Sequence, residues 1–433
     1  MVKEGDRVRI ITQDEQLEGI LIPRPDILEK GIKVLKLDNG YNIGIDEKKI
    51  KKIELIEEGK KLEISHAKKI KKNPKLKNIT ILHTGGTIAS KVDYKTGAVY
   101  TSFTPEDLVG MFPELTKISN FDSYLVASMF SENMRFKLYS LMAKAIEKEI
   151  KKGVDGIILT HGTDTMGYSA AALSFMLDDL PIPVIIVGSQ RSSDRGSSDA
   201  GVNLICATEF ITKTDFAGIA ICMHEKPDDK TCSIMPPCKT RKMHTTRRDT
   251  FKVVNDTIIA RVNYNTKKIE FVKKDYAKRS KSKVIVRDKI EDKVALLKIH
   301  PNMHPDQFRA LKGYKGIVLE GTGLGHAPVG VPNEYCRINK ENFNAIVELL
   351  KNSVIVMTSQ TLFGRVNMNI YSAGRDLLEV GVIPGEDMLP ETAFVKLAWL
   401  LGNYKDKKEI KKLIRTNLKG EINPRIEPNE FLE

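Results

Sequence analysis

Cysteine is scarce and unpaired by spacing: positions 206, 222, 232, 238 and 336 make an odd set of five in 433 residues, with no C-x-x-C. A disulfide framework and the usual structural zinc site are thereby excluded, and the thiols read as small buried hydrophobes. A metal or redox pair at Cys232 and Cys238 is the competing reading. No apolar run approaches the ~18 residues that a membrane span requires. The opening "MVKEGDRVRI" has no apolar signal-peptide core, so the cytoplasm is the expected location. Neither arginine–aromatic alternation nor a zinc knuckle marks a nucleic-acid module.

What is present describes an ordinary globular chain, 41% apolar and 29% charged, long enough for two or three domains. The net charge of +13 is concentrated in blocks. "SHAKKIKKNPKLKN" (65–78) carries six lysines and no acid, and the stretch 267–289 carries ten basic residues against three acidic ones. Such blocks suit a polyanion, whose condensed counterions lysine and arginine release. Solvated linkers in a lysine-rich protein explain them equally well.

Residues 1–65 read as a small all-β barrel or curled sheet. "DRVRIIT", "LEGILIP", "IKVLKLDNGYNIGID" and "IKKIELIEE" are β-rich runs, and Asp38, Asn39 and Gly40 mark a hairpin turn. Residues 66–77 are a basic linker. From 78 the pattern becomes α/β, with apolar strands "NITILH", "VDGIILT", "IPVIIVG", "AGIAIC", "KVALLKI", "KGIVLE" and "SVIVMT". Continuous apolar strands predict a parallel sheet covered on both faces. Helices are expected at "TPEDLVGMF", capped by Thr104 and Pro105, and at "MRFKLYSLMAKAIEKEIKKG", stopped by Gly153. The charged stretch near 265–290 divides the body into lobes at 78–265 and 290–433.

Ligands of open α/β sheets bind beyond the carboxyl ends of strands. Two such ends carry threonine: "ITILHTGGTIAS" at Thr87 and "GIILTHGTDTMGYSAAAL" at Thr163 and Asp164. Gly85 and Gly86 let backbone amides approach a ligand, and amides at such a turn stabilise an oxyanion. Phosphate binding is disfavoured, because "TGGTIAS" lacks the P-loop lysine and the G-x-G-x-x-G spacing. A threonine hydroxyl is a weak nucleophile that needs a base, and a desolvated lysine supplies one. "CKTRKMHTTRRDTF" offers Lys239 or Lys242. Helix capping by Thr163 or Asp164 is the bland alternative, but it does not account for two threonine-bearing turns in one sheet.

These motifs, with "VIIVGSQRSSD", "GIVLEGTGLGHAP", "VIVMTSQTLFGRV" and "GVIPGEDMLPETAFVKLAWLLG", resemble the L-asparaginase/glutaminase amidohydrolase family over residues 78 to 405. The resemblance implies an asparaginase-like two-lobe body. It makes Thr87 the threonine that attacks the side-chain carboxamide, and Thr163 the one that places or activates water. Asp164 would hold the substrate α-amino group. "KMHTTRRDTF" matches the family's Lys-x-x-Thr-Thr-x-x-x-x-Phe, which selects Lys242 over Lys239. Tyr94 fits the mobile-lid tyrosine, with Tyr100 as its rival. Ser131 and Glu132 of "FSENM" would contact the substrate carboxylate and amine, and Gly86 and Gly162 belong to the same substrate-binding set. Two threonines, a lysine and an aspartate provide nucleophile and proton acceptor without a metal.

Departures are Ser192 in place of a common proline, Ala200 after Asp199, and Glu132-Asn133 in place of Gln-Asp. Plain asparaginases also lack an N-terminal barrel. Barrel, basic linker and body together resemble the D-subunit family of archaeal glutamyl-tRNA(Gln) amidotransferases. That resemblance implies a glutaminase that hydrolyses glutamine, or asparagine, and passes ammonia to a partner, the amidotransferase E subunit. The partner would use ATP and magnesium to convert glutamyl-tRNA(Gln), with no cofactor in this chain. A homodimer within a heterotetramer is implied. The alternatives are a free-standing asparaginase with an accessory barrel, and a silent RNA-binding scaffold. His300 and His304 read as loop or core histidines, because Pro301 breaks the helix that would align them. Gly321, Gly323 and Gly325 read as a post-strand loop, and His161 as a residue that orients its turn.

Overall fold

Alternation in the first strand already defines an inside. In Arg7–Thr12 every second side chain is buried, and Val8 and Ile10 are wholly so. The chain is represented by a computed structural model that describes residues 2–3, 6–22, 31–38, 42–58, 72–85, 90–92, 99–101, 112–191 and 198–431. Strands β1 (Arg7–Thr12), β2 (Gln16–Ile22), β3 (Ile32–Leu37), β4 (Asn42–Asp46) and β5 (Ile50–Glu57) form an antiparallel sheet in the order β4-β3-β2-β1-β5. Among the described residues no ladder joins β4 to β5. Even so, Ile43 and Ile45 of one edge and Ile50 and Ile53 of the other pack on one cluster around Val8, Ile10, Leu21 and Leu35. A flat sheet would hold its two edges apart, so this one curls upon itself. The turn expected at Asn39 and Gly40, residues 66–71 of the basic linker, and the helix expected after Thr104 and Pro105 lie outside the described residues.

The body is built on an eight-stranded sheet. Its spatial order is Ile269–Phe271, Ala260–Asn263, Thr231–Met235, Gly218–His224, Pro183–Val187, Gly156–Thr160, Asn78–Gly85 and Asn120–Met129. The last five run parallel. The first three are antiparallel additions, so the sheet is mixed where a parallel one was expected. The reason is local: "EKPDDK" between His224 and Thr231 is a short connection, which permits only an antiparallel return. Strand Asn120–Met129 was not foreseen either. It is a half-exposed edge whose polar residues break any apolar run. Part of the stretch taken as an irregular divider, Ile269–Phe271, is the opposite edge.

Residues 294–384 supply a second, all-parallel sheet in the order Val294–Lys298, Gly316–Gly321, Val354–Ser359 and Ile383–Pro384. Helix Met166–Met176, in which every residue but Gly167 and Tyr168 is buried, packs against helix Pro390–Asn403 from beyond that sheet. Phe175 stacks on Trp399 with ring centroids 5.7 Å apart. One apolar cluster therefore runs through both lobes, from Ile157 and Phe175 to Val318 and Leu397. Helix Phe136–Lys151 covers the sheet beside it and ends at Gly153, whose φ of +81° suits glycine. Cys206, Cys222, Cys232 and Cys238 are buried, whereas Cys336 is only half-buried. Cys232 and Cys238 belong to separate core clusters, which overturns their reading as a pair. No helix among the described residues is long and apolar enough to cross a membrane.

Two histidines sit at the carboxyl ends of neighbouring parallel strands. Thr160 Oγ1 and His83 Nδ1 lie 3.0 Å apart, and His83 Nε2 has no partner among the described residues. His161 Nδ1 donates to the Gly162 carbonyl at 2.6 Å, so its Nε2 accepts from the Ser169 hydroxyl at 2.8 Å. Burial pushes both rings down to about 4. The unfolded chain binds protons here as pH falls through about 6.5, but the folded chain does so only near 4. The contribution is thus complete above pH ~6.5 and lost as pH falls towards 4, on the order of 3 kcal/mol per ring. Urea unfolding between about pH 7 and about pH 4.5 is expected to show this decline, and His161→Gln to flatten it. An equally steep decline in His161→Gln and in His83→Gln would assign it elsewhere.

Candidate active site

Strand Gly156–Thr160 ends on His161 and Gly162, and the turn that follows carries Thr163 and Asp164. The short strand Thr240–Lys242 brings its last residue to the same place. Lys242 Nζ donates to Thr163 Oγ1 at 2.9 Å and to Asp164 Oδ1 at 2.7 Å. Thr163 is buried, Lys242 is mostly covered, and the Asp164 side chain is 64% exposed. The hydroxyl and amine face inward while the carboxylate opens to solvent. Three of the residues selected from sequence are therefore in direct contact.

Ser131 joins them from the turn after strand Asn120–Met129. Its buried hydroxyl accepts from the Asp164 amide at 3.2 Å, and its carbonyl accepts from Thr165 Oγ1 at 2.8 Å. Gly162 makes this approach possible: a Cβ there would lie 2.7 Å from Ser131 Cβ. Glu132 is exposed on the next position of the same turn. Gly85 ends strand Asn78–Gly85 at φ +92°, and a Cβ on it would meet the Met129 backbone at 2.5 Å. First-motif strand and Ser131 turn are thus pressed together. Gly86, Thr87 and Tyr94 lie outside the described residues, as does the side chain of Tyr100.

Sequence reasoning missed what holds the third turn. Gly188 packs on Thr163, whose Cγ2 would be 2.9 Å from a Cβ at 188. The residues after it are fastened by Asp199, which is wholly buried. Asp199 accepts from the amides of Gln190 at 3.0 Å and Arg191 at 3.1 Å, and from the Ser189 hydroxyl at 2.9 Å. Asn203 Nδ2 adds bonds to Asp199 and to the Gly188 carbonyl. The available signal was Asp199 and Asn203, four apart at a helix start. Ser192 lies outside the described residues.

Beside Lys242 opens a cleft of about 410 Å³, bordered by Asp164, Tyr168, Arg241, His244 and Glu391. Arg241 pairs with Glu391 at 3.1 Å. Burial nevertheless raises the Glu391 carboxyl, against the opposing pull of Arg241, and burial also raises the Tyr168 phenol. Lys239 is elsewhere: it is fully buried and donates to Asp387 Oδ2 at 2.6 Å. His300 and His304 form local bonds with Pro301 and Gln307 around a short helix start. The Gly321–Gly325 segment closes on itself through a Thr322–His326 bridge, as a post-strand loop does.

Comparison with known proteins extends these observations to the whole chain. The model described as Asparaginase, N-terminal matches residues 78–276, and that of the Glutaminase/Asparaginase C-terminal domain matches 293–414. The GatD N-terminal domain matches 2–56. Among solved structures, the thermostable L-asparaginase from Thermococcus kodakarensis aligns at TM-score 0.69 and 29% identity, over 80% of this chain and 100% of that one. L-asparaginase I from Vibrio cholerae aligns at TM-score 0.69 and 26% identity, over 80% and 99%. Part of this chain therefore has no counterpart in those enzymes. It does in the glutamyl-tRNA(Gln) amidotransferase D subunit from Pyrococcus furiosus, 48% identical over 100% of this chain and 97% of that protein. The D subunit from Methanococcus maripaludis strain C6 is 46% identical over 98% of each. Curled N-terminal sheet, two-lobe body and matching sequence over the full length place this chain in the D-subunit family of glutamyl-tRNA(Gln) amidotransferases.

Proposed function

We propose that this chain is the glutaminase subunit of a tRNA-dependent amidotransferase, releasing ammonia from glutamine for a partner, the E subunit. The observation that carries the reading is the reach of one lysine, Lys242, to both Thr163 and Asp164, in a chain that keeps the N-terminal module. Thr87 attacks the carboxamide carbon; its Oγ–C bond forms as the C–N bond breaks, and the hydroxyl proton is delivered to the nitrogen, which leaves as ammonia. Water then cleaves the ester to give glutamate. Lys242, when neutral, takes a proton from the Thr163 hydroxyl or through it from water. The adjoining Asp164 carboxylate stabilises the ammonium so formed and, on its exposed side, receives the substrate α-ammonium. Gly86 and Gly162 offer amides, Tyr94 closes over the nucleophile, and Ser131 and Glu132 meet the amino-acid end of the substrate.

The E subunit uses ATP and magnesium to activate glutamyl-tRNA(Gln), which then captures the ammonia. This chain forms a homodimer through its asparaginase-like body, within a heterotetramer. One methylene separates glutamine from asparagine and is worth only ~1–3 kcal/mol, so both amides are assayed side by side.

The test is ammonia release from glutamine and from asparagine by the purified chain, alone and then with the E subunit, ATP, magnesium and glutamyl-tRNA(Gln). Low basal glutaminase activity that rises with the full set is expected. Thr87→Ala and Lys242→Met should each lower kcat by roughly a hundred- to ten-thousandfold. Asp164→Asn should also raise KM, because it removes the counter-charge for the substrate amine. Fast asparagine hydrolysis indifferent to the partner would instead identify a degradative asparaginase.

A further inference from the structure

Lys242 ends a three-residue strand that pairs with Phe251–Val253 in a two-stranded ladder outside the main sheet. So short a ladder fixes no side chain to within the tolerance of a proton transfer. Besides Lys252 Nζ, which donates to the Glu225 carbonyl at 3.0 Å, the ladder's side-chain attachments run largely to the C-terminal lobe. The Cys238 carbonyl accepts from Thr392 Oγ1 at 2.8 Å. Lys239 Nζ donates to the Asp387 carboxylate at 2.6 Å and to its carbonyl at 3.0 Å. Arg241 pairs with Glu391 at 3.1 Å. At the far end of the hairpin Asn255 exchanges bonds with Gly364, 3.0 Å out and 2.9 Å back. Residues 239 and 241 thus face the C-terminal lobe, while Lys242 turns to Thr163.

The Lys239–Asp387 pair is fully buried on both sides. Burying two charges is a poor way to gain stability, since an apolar pair of equal volume does as well or better. What the pair supplies is a single geometry, completed by the Asn423 amide, which donates to Asp387 Oδ1 at 3.0 Å. We propose that segment 387–392 of the C-terminal lobe, acting through Lys239–Asp387 and Arg241–Glu391, positions Lys242 for proton transfer at Thr163. These are positioning residues, and the inference rests on the role assigned to Lys242 above.

The test compares kcat, KM and the pH–kcat profile for glutamine hydrolysis in the full chain assembled with its partner subunit, together with thermal midpoints. Asp387→Asn is expected to lower kcat by at least about tenfold with KM within about twofold, and to displace the pH profile. The paired substitution Lys239→Met/Asp387→Leu should recover the thermal midpoint while kcat stays low. Recovery of parental kcat and pH profile along with the midpoint would make the pair purely structural and overturn the proposal. If no variant at 239 or 387 folds, Glu391→Gln, at the less buried end of the attachment, is read in the same way: a lowered kcat with a displaced profile supports the proposal, and parental values overturn it. Lys242→Met separates the two readings. Parental activity in that variant removes the role of Lys242 and this inference with it. Loss there beside a parental Lys239→Met/Asp387→Leu overturns the positioning role alone.

Discussion

Helix Met166–Met176 has no polar face, and that constraint organises the body. A helix buried nearly all round, with only Gly167 and Tyr168 left half-open, has to be covered on several sides, which a single sheet cannot do. One side lies on the eight-stranded sheet, and helix Pro390–Asn403 supplies much of the rest, with Trp399 laid against Phe175. Two consequences follow for the chemistry. The amino end of the buried helix places Thr163, Asp164 and Thr165 at the edge of the sheet, next to Ser131. The covering helix brings segment 387–392 against the hairpin of Lys242. The packing that covers this helix therefore also brings these contacts together.

Charge, the most conspicuous feature of the composition, proves less informative in the structure than in the sequence. Four of the ten basic residues in the stretch 267–289 are engaged within the fold. Arg279 donates to the carbonyls of Thr214, Asp155 and Ile211, and burial lowers its affinity for the proton. Lys273 pairs with Asp256, Lys278 with Asp215 and Arg287 with Asp178. A guanidinium that satisfies three backbone carbonyls is a splint between loops. The case for an RNA-facing surface is correspondingly weaker on this stretch, and the family relationship rests on the body and the N-terminal module, not on net charge.

Strand positions were legible because parallel strands covered on both faces must be apolar throughout, and "GIILT" or "PVIIV" admits little else. Antiparallel additions and the polar edge strand Asn120–Met129 were not, since one exposed face removes the apolar run. The contacts around Lys242 were legible for a different reason. Thr163 and Asp164 stand in a short contiguous motif at the end of an apolar strand, where polar residues have few structural excuses, whereas Ser131, after the unforeseen edge strand, was reached only through the family resemblance of "FSENM". Lys242 was preferred to Lys239 only through the family resemblance of "KMHTTRRDTF"; in the structure Lys242 reaches Thr163 and Asp164, while Lys239 is buried against Asp387.

The supports of the site escaped notice because nothing local announces them. Asp387 stands 148 residues from Lys239, and Thr392 stands 154 from Cys238. Asp199 looks like an ordinary residue before a helix until the turn at Gln190 and Arg191 is seen to hang from it. A reacting group must be recognisable by its own chemistry, since it has to meet a substrate. A supporting group has only to meet one partner, and any complementary pair will serve if the fold brings it together. Sequence therefore points to candidate reacting groups before the groups packed behind them, and the second kind becomes visible only where the lobes meet.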